Sequence, residues 1–192
     1  NKQKDYFRLY GIKDIIDFKT ALQELGYSCS QVTDVILTHL HFDHCGACTY
    51  YTDDKTLALT FPNAAHWVGE RQWQNAMNPN VREGDSYFPE NMLPVKEAGK
   101  LKLVTENQMI CPEVELRLFH GHTVGQLAPY IYMEDKTLIY VGDVIPTSVN
   151  VPLAWVSSYD TFPITSMEDK KKLMAEAVEK QQYLFFEHDA YT

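Results

Sequence analysis

The sequence predicts a mixed α/β fold, and three observations carry that prediction. Apolar or alternating runs of strand length recur at Val32–Thr38, Val114–Leu118, Thr137–Val141 and Leu184–Phe186. Segments with helical periodicity stand between them. Histidines and aspartates fall repeatedly at the ends of the strand-like runs or in the turns that follow, which is where a rigid sheet usually presents active-site groups.

Taken in order, Ile12 to Leu25 reads as a helix, because Ile15, Ile16, Phe18, Leu22 and Leu25 recur near helical spacing and Gly26 suits a C-terminal cap. Val32 to Thr38 is β-branched and apolar, which predicts a buried strand ending at His39. Leu57 to Thr60 reads as a short strand and His66 to Met77 as a helix. An irregular stretch containing Pro79, Gly84, Pro89 and Pro94 follows. Val114, Leu116 and Leu118 alternate with charged residues and predict a half-buried strand running to His120. Thr137 to Val141 is a buried strand with Gly142-Asp143 at its end. A helix is expected from Ser166, with Asp169 placed as in a capping box and an apolar face of Leu173, Met174, Ala177 and Val178. Leu184 to Phe186 is a last strand, leading into Glu187-His188-Asp189.

Bulk properties narrow the function classes. A chain of 192 residues without repeats or a linker-like shift in composition predicts a single domain, 1–192. The 45% hydrophobic and 22% charged fractions are those of a soluble globular protein, and no apolar run reaches the roughly 18 residues of a membrane span. A net charge of −9, with one basic run at Lys170-Lys171-Lys172, argues against nonspecific nucleic-acid binding. Four scattered cysteines form no disulfide framework and fit a reducing, cytoplasmic setting. Cys45 and Cys48 read as small buried packing residues, since a zinc ribbon needs a second pair. The polar start Asn1-Lys2-Gln3-Lys4-Asp5 has no apolar signal stretch and no initiating Met, so a preceding segment is expected to be missing, which leaves an export signal open.

The chemistry concentrates in Thr38-His39-Leu40-His41-Phe42-Asp43-His44. Neutral imidazole and ionised carboxylate are good zinc ligands. Histidines two apart on an extended stretch project to the same side, so His39 and His41 can grip one ion while Asp43 and His44, in the following turn, reach a second. One isolated histidine is more often surface or satisfied core; a His-x-His-x-Asp-His run after an apolar strand points to metal. Gly121-His122-Thr123-x-Gly125 sets His122 between flexible glycines. His120 competes for the same role and is read as a strand-end or supporting residue. Asp143 ends a buried strand, where a carboxylate needs a partner to offset desolvation, and His188 follows a strand in the same way.

This ordered set resembles the metallo-β-lactamase superfamily from about Val32 to His188. The resemblance implies an αββα sandwich and a two-metal hydrolase. His39, His41 and His122 would hold the first ion, Asp43, His44 and His188 the second, with Asp143 bridging. Two zinc ions are the expected cofactors, although manganese or iron also suit mixed His/carboxylate sites. Asp43 is the candidate catalytic side chain, moving a proton to the leaving group. A histidine directly after that aspartate points toward the lactonase, thioesterase, phosphotriesterase and RNA-processing branches. The segment near 63–100, with His66-Trp67-Val68, Trp73, Asn78-Pro79-Asn80, Arg82-Glu83 and Asn91-Met92-Leu93-Pro94, resembles the insert of lactonase-like and organophosphate-hydrolase-like members. Phe42, Trp67 and Trp155 are the candidate pocket linings.

Two departures from the family pattern matter. Only 38 residues precede His39 and little follows His188, so the N-terminal strands and the closing C-terminal strand of the sandwich are expected to be absent from this chain. Many homoserine-lactone hydrolases carry a tyrosine three residues after the bridging aspartate; Pro146 stands there, and Tyr159 is the substitute candidate. The expected function is hydrolysis of a lactone or ester small molecule by a hydroxide that the metals activate. Alternatives are a glyoxalase II-type thioesterase, a phosphotriester hydrolase, and a non-catalytic metal-binding module. A homodimer through the exposed insert is the expected assembly.

Overall fold

A computed structural model describes residues 8–11 and 16–190 of the chain. Three sheets form. The smaller main sheet is parallel and ordered β1-β4-β5, from β1 (Asp34–Ile36), β4 (Ala65–Gly69) and β5 (Leu101–Val104). The larger has five strands, ordered β10-β9-β8-β7-β6: β6 (Gln108–Cys111), β7 (Val114–Phe119), β8 (Gln126–Tyr132), β9 (Thr137–Tyr140) and β10 (Tyr183–Phe185). A hairpin pairs β2 (Thr49–Tyr51) with β3 (Leu57–Leu59).

Three apolar clusters explain the layering. Val104, Leu116 and Leu127 are buried between the two main sheets, with Ile36, Trp67 and Leu118 packed around them. The smaller sheet's other face packs through Val68 and Leu37 onto Trp73 and Ala76 of α3 (Glu70–Met77) and Met92 and Val95 of α4 (Pro89–Glu97). The larger sheet packs through Tyr130 and Ile139 onto Leu173 and Ala177 of α5 (Pro163–Glu179). Helices outside and two sheets inside make an αββα sandwich. Among the described residues no helix is long and apolar enough to cross a membrane.

Several sequence expectations need correction. The predicted helix over His66–Met77 is instead β4 followed by α3. His66 and Val68 are fully buried between β1 and β5, and pairing on both sides decides for strand over helical periodicity. The first helix, α1, spans Phe18–Glu24, capped where Asp17 accepts from the Thr20 N–H at 2.7 Å. Residues 12–15 of that predicted helix lie outside the described residues. The stretch expected to be irregular contains α4, with Pro94 inside it. The backbone acceptor that Pro94 cannot serve, the Glu90 carbonyl, receives the Thr49 hydroxyl at 3.0 Å.

The last helix begins at Pro163 rather than Ser166. Asp169 does not close a capping box; its carboxylate accepts from the His120 and Gly121 N–H groups at 2.7 and 2.9 Å. Val178, expected on the apolar face, is 73% exposed. Lys170 departs from the basic surface run and is 1% exposed. Its ammonium donates to the carbonyls of Asn150, Pro152 and Trp155 at 2.7, 2.9 and 3.0 Å. Cys45 and Cys48 are buried, as expected, and burial pushes the Cys48 thiol up to about 12.

Candidate metal centre

β1 runs into His39, and α2 (Phe42–Cys45) starts directly after His41, so one strand-to-helix turn presents His39, His41, Asp43 and His44 together. His122 comes from the turn between β7 and β8. That turn is held tightly against two helices. A Cβ on Gly121 would lie 2.3 Å from the Ser166 Cα at the start of α5. Gly125 has φ +76°, and a Cβ there would meet the Gln72 nitrogen at 2.6 Å. These glycines permit the close approach that places His122. Asp143 sits in the turn after β9, where the Gln126 amide oxygen accepts from the Asp143 and Val144 N–H groups at 2.9 and 3.0 Å.

The ligand-capable atoms fall into two groups. His39, His41 and His122 are all buried and bring one ring nitrogen each within 4.8 Å of the others. His44, Asp143, Glu187 and His188 form the second group by the same distance. Asp143 spans both: its Oδ2 lies 3.2 Å from His122 Nε2 and 3.6 Å from His44 Nε2, and its Oδ1 lies 3.2 Å from His188 Nε2. The structure therefore brings all seven sequence-predicted residues to one place, with Asp43 at the margin. The Asp43 side chain is 44% exposed, and its Oδ2 lies 3.5 Å from His44 Nε2. His120 points elsewhere, its Nδ1 accepting from the Gly125 N–H at 3.1 Å.

Three carboxylates that sequence reasoning left out of the site fix the ring orientations. His122 Nδ1 donates to Asp160 Oδ1 at 3.0 Å, and His41 Nε2 contacts Glu83 Oε1 at 3.4 Å. His44 Nδ1 meets Glu187 Oε1 at 2.6 Å. A carboxylate only accepts, so each ring carries its proton on the outward nitrogen and turns a lone pair inward. The inward atoms nearly touch: His41 Nδ1 and His122 Nε2 are 3.3 Å apart, and so are His44 Nε2 and His188 Nε2. His39 Nε2 is buried without a hydrogen-bond partner. Converging lone pairs with no donor between them are disfavoured unless a cation sits there, so the residues fit the metals that such a donor set suggests. Glu187 is close enough to ligate, but its short contact to His44 Nδ1 makes it an orienting group. A lone acid beside His188 was the one signal for it in the sequence; Glu83 stood out only within the insert resemblance, with no sign of a contact to His41, and Asp160 not at all.

Electrostatics differ between the two groups. Burial of His44 is outweighed by Asp43, Glu187 and Asp143, which bring it up to about 10, and Asp143 raises His188. The second group therefore favours cationic imidazole where no metal is bound, whereas His39 and His41 of the first do not. Burial, with the neighbouring imidazoles, holds His39 well below the usual histidine range, and burial outweighs Glu83 to lower His41. Both are therefore in the neutral, ligating form. Burial works against ionised Asp143, but His188, His122 and His44 outweigh it and bring the carboxyl down to about 2.

One cavity of about 870 Å³ opens onto both groups. His41, Asp43, His122, Asp143 and His188 form its floor; Phe42, Val156 and Pro146 give it an apolar side. Of the three expected pocket linings, Phe42 is present. Trp67 packs between the sheets with its indole N–H on Asp34 at 2.7 Å, and Trp155 is an exposed residue outside the lining.

Comparison with known proteins places this architecture. An RNase J-like protein of Methanocaldococcus jannaschii is 26% identical over 114 residues, covering 59% of this chain and 25% of its own length. The chain thus spans a quarter of that curated relative. Among solved structures, a probable metal-dependent hydrolase from Staphylococcus aureus superposes with a TM-score of 0.87 at 24% identity, over 95% of this chain and 64% of that one. An N-acyl homoserine lactone hydrolase, solved with N-hexanoyl-L-homoserine at its catalytic metal centre, gives 0.70 at 22% identity over 90% and 62%. The hydrolase AbOPH gives 0.76 at 19% identity over 90% and 62%. At these identities the likeness is one of fold, and the chain covers less than two thirds of each. The profile of one family matches residues 9–184, and on that match the chain belongs to the metallo-beta-lactamase superfamily.

Proposed function

We propose that the chain carries the active site of a two-metal hydrolase acting on a small lactone or ester. The observation that carries this reading is the cavity that opens at once onto two donor groups spanned by Asp143. In this reading His39, His41 and His122 hold one ion, Asp43, His44 and His188 the other, and Asp143 both. Zinc suits the mixture of imidazole and carboxylate. Bound there, the ions supply Lewis acidity and lower the pKa of water from ~15.7 toward ~7.

The remaining work falls to the chain. Glu83, Asp160 and Glu187 keep three imidazoles turned inward, so little reorganisation accompanies binding. Phe42 and Val156 cover the apolar side of the cavity and limit water around the scissile carbonyl. Asp43 faces the cavity and passes the proton lost by the attacking water to the departing alkoxide. Tyr159 lines the same cavity, and its phenol takes the carbonyl-contacting role that Pro146 cannot.

The test is proton release in a pH-stat, with zinc-loaded protein, an acyl homoserine lactone and an aryl ester, against an Asp143→Ala variant. Acid release by the wild type and none by the variant supports the reading. Release from neither substrate, by protein shown to be folded and zinc-loaded, refutes it and directs attention to thioesters, phosphotriesters and RNA.

A further inference from the structure

The cavity has a second side that the metal chemistry does not use. Among the described residues Arg82 is the one arginine or lysine in its lining, in a protein whose net charge is −9. Ser86, Ser158 and Tyr159 line the same cavity. Arg82 Nη2 donates to the Ser158 carbonyl, which carries the side chain from the segment after α3 across to the loop before α5. No carboxylate of the described residues lies within ion-pair distance of it, although acidic residues outnumber basic ones by 26 to 17 along the chain. Its neighbour Glu83 behaves oppositely, since that carboxylate is buried and engaged with His41, Thr123 and Asn75.

The wall opposite Arg82 is also built to stay in place. Buried Lys170 gives its donors to three carbonyls of residues 150–155, immediately before Val156 and Ser158. Asp160, just after Tyr159, is fixed on His122. The loop is therefore fastened at both ends, and the Arg82 contact ties its middle to the facing segment. A guanidinium that lines a cavity and has no carboxylate partner among the described residues suits a planar anion.

We infer that Arg82 forms a carboxylate-recognition subsite, and that the natural substrate is an ester or lactone bearing a free carboxylate away from the scissile bond. This rests on the hydrolase reading above. The reacting carbonyl sits over the metal floor, and the distal carboxylate takes the Arg82 guanidinium. Preference for an anion is then local, produced by one side chain against the charge of the whole chain.

The experiment compares two substrates of the zinc-loaded protein: the para-nitrophenyl monoester of adipic acid and its neutral carboxamide counterpart. KM and kcat are measured for the wild type, Arg82→Gln and Arg82→Lys. Loss of a charge-assisted hydrogen bond predicts a KM increase of about tenfold for the adipate ester beyond any change for the carboxamide, with kcat held and part of the loss recovered by lysine. An equal change for both substrates, or none for the adipate ester, overturns the inference while leaving the hydrolase reading intact. If neither ester turns over, the ester-hydrolase reading fails and the subsite is judged by calorimetric titration of adipate. A Kd weakened about tenfold in Arg82→Gln supports it, and equal Kd values overturn it.

Discussion

The two ends of the metal centre use the same residue types but hold them differently. At the closed end His39, His41 and His122 are buried, and their outer nitrogens engage Thr38, Glu83 and Asp160. At the open end the His188 side chain is 40% exposed and the Asp43 side chain 44%. Its support is a short loop after β10, tied where Asp189 accepts from the Ser148 N–H at 2.9 Å. The difference teaches that one donor group is preorganised inside the sandwich, whereas the other depends on a loop beside the cavity mouth. An ion at the closed end should be held as structure; an ion at the open end should exchange.

The sharpest way to break this comparison is to remove one ligand from each end. His122→Ala is expected to abolish lactone or ester hydrolysis and to leave less than one zinc per chain after dialysis. His188→Ala should keep the closed-end ion, so metal analysis should read near one, with residual activity above the His122→Ala background. Graded chelation of the wild type should likewise release zinc in two steps. A single step with both sites lost together, or equal zinc content in the two variants, removes the distinction.

The next effect is smaller, because it acts on orientation. Asp160→Ala leaves every ligand but frees the His122 ring to turn and exchange tautomer. Outer partners of this kind are worth about 10- to 100-fold in metal affinity. Competition with a chromophoric chelator should show that loss at the tighter site. Glu187→Gln, which keeps an acceptor for His44 Nδ1, should weaken the looser site alone. If Asp160→Ala leaves zinc affinity unchanged, the carboxylate is not what turns His122 inward.

These contrasts also separate what the sequence shows from what it hides. The donor cluster is legible because metal chemistry demands particular residue types at close local spacing, as in His39 to His44, and the β-branched run before it marks the strand that delivers it. Its supports are not legible. Glu83 and Asp160 reach His41 and His122 across 42 and 38 residues, and no local pattern records such a contact. β8 was missed although it is the middle strand of the larger sheet: QLAPYIY is buried along most of its length, so it lacks the alternation of a one-faced strand. The error at His66–Met77 has the same origin, since spacing alone could not show that β1 and β5 lie on either side. The lysine run misled because neighbouring lysines look alike in sequence, while Lys170 faces three carbonyls and is buried.

The smallest effect comes from two neighbours on α5 that serve opposite ends of the site. Asp169 accepts two N–H groups from the turn carrying His122; Lys170 donates to three carbonyls of the loop that also holds Ser148, the partner of Asp189. Each charged group makes these hydrogen bonds with backbone groups, so each substitution loosens a segment without touching a candidate ligand. Lys170→Met keeps most of the side-chain volume but leaves carbonyls without their donor, at a cost of about 1.5–3 kcal/mol in stability, read as a lower denaturant midpoint. Zinc content should stay at the wild-type level while KM rises a few-fold, because the cavity wall moves and the closed end does not. Asp169→Asn should show the converse, with weaker closed-end zinc and KM held. Identical losses of zinc and of KM in the two variants would mean that α5 acts as one undivided support, and that the two ends of the centre are not independently held.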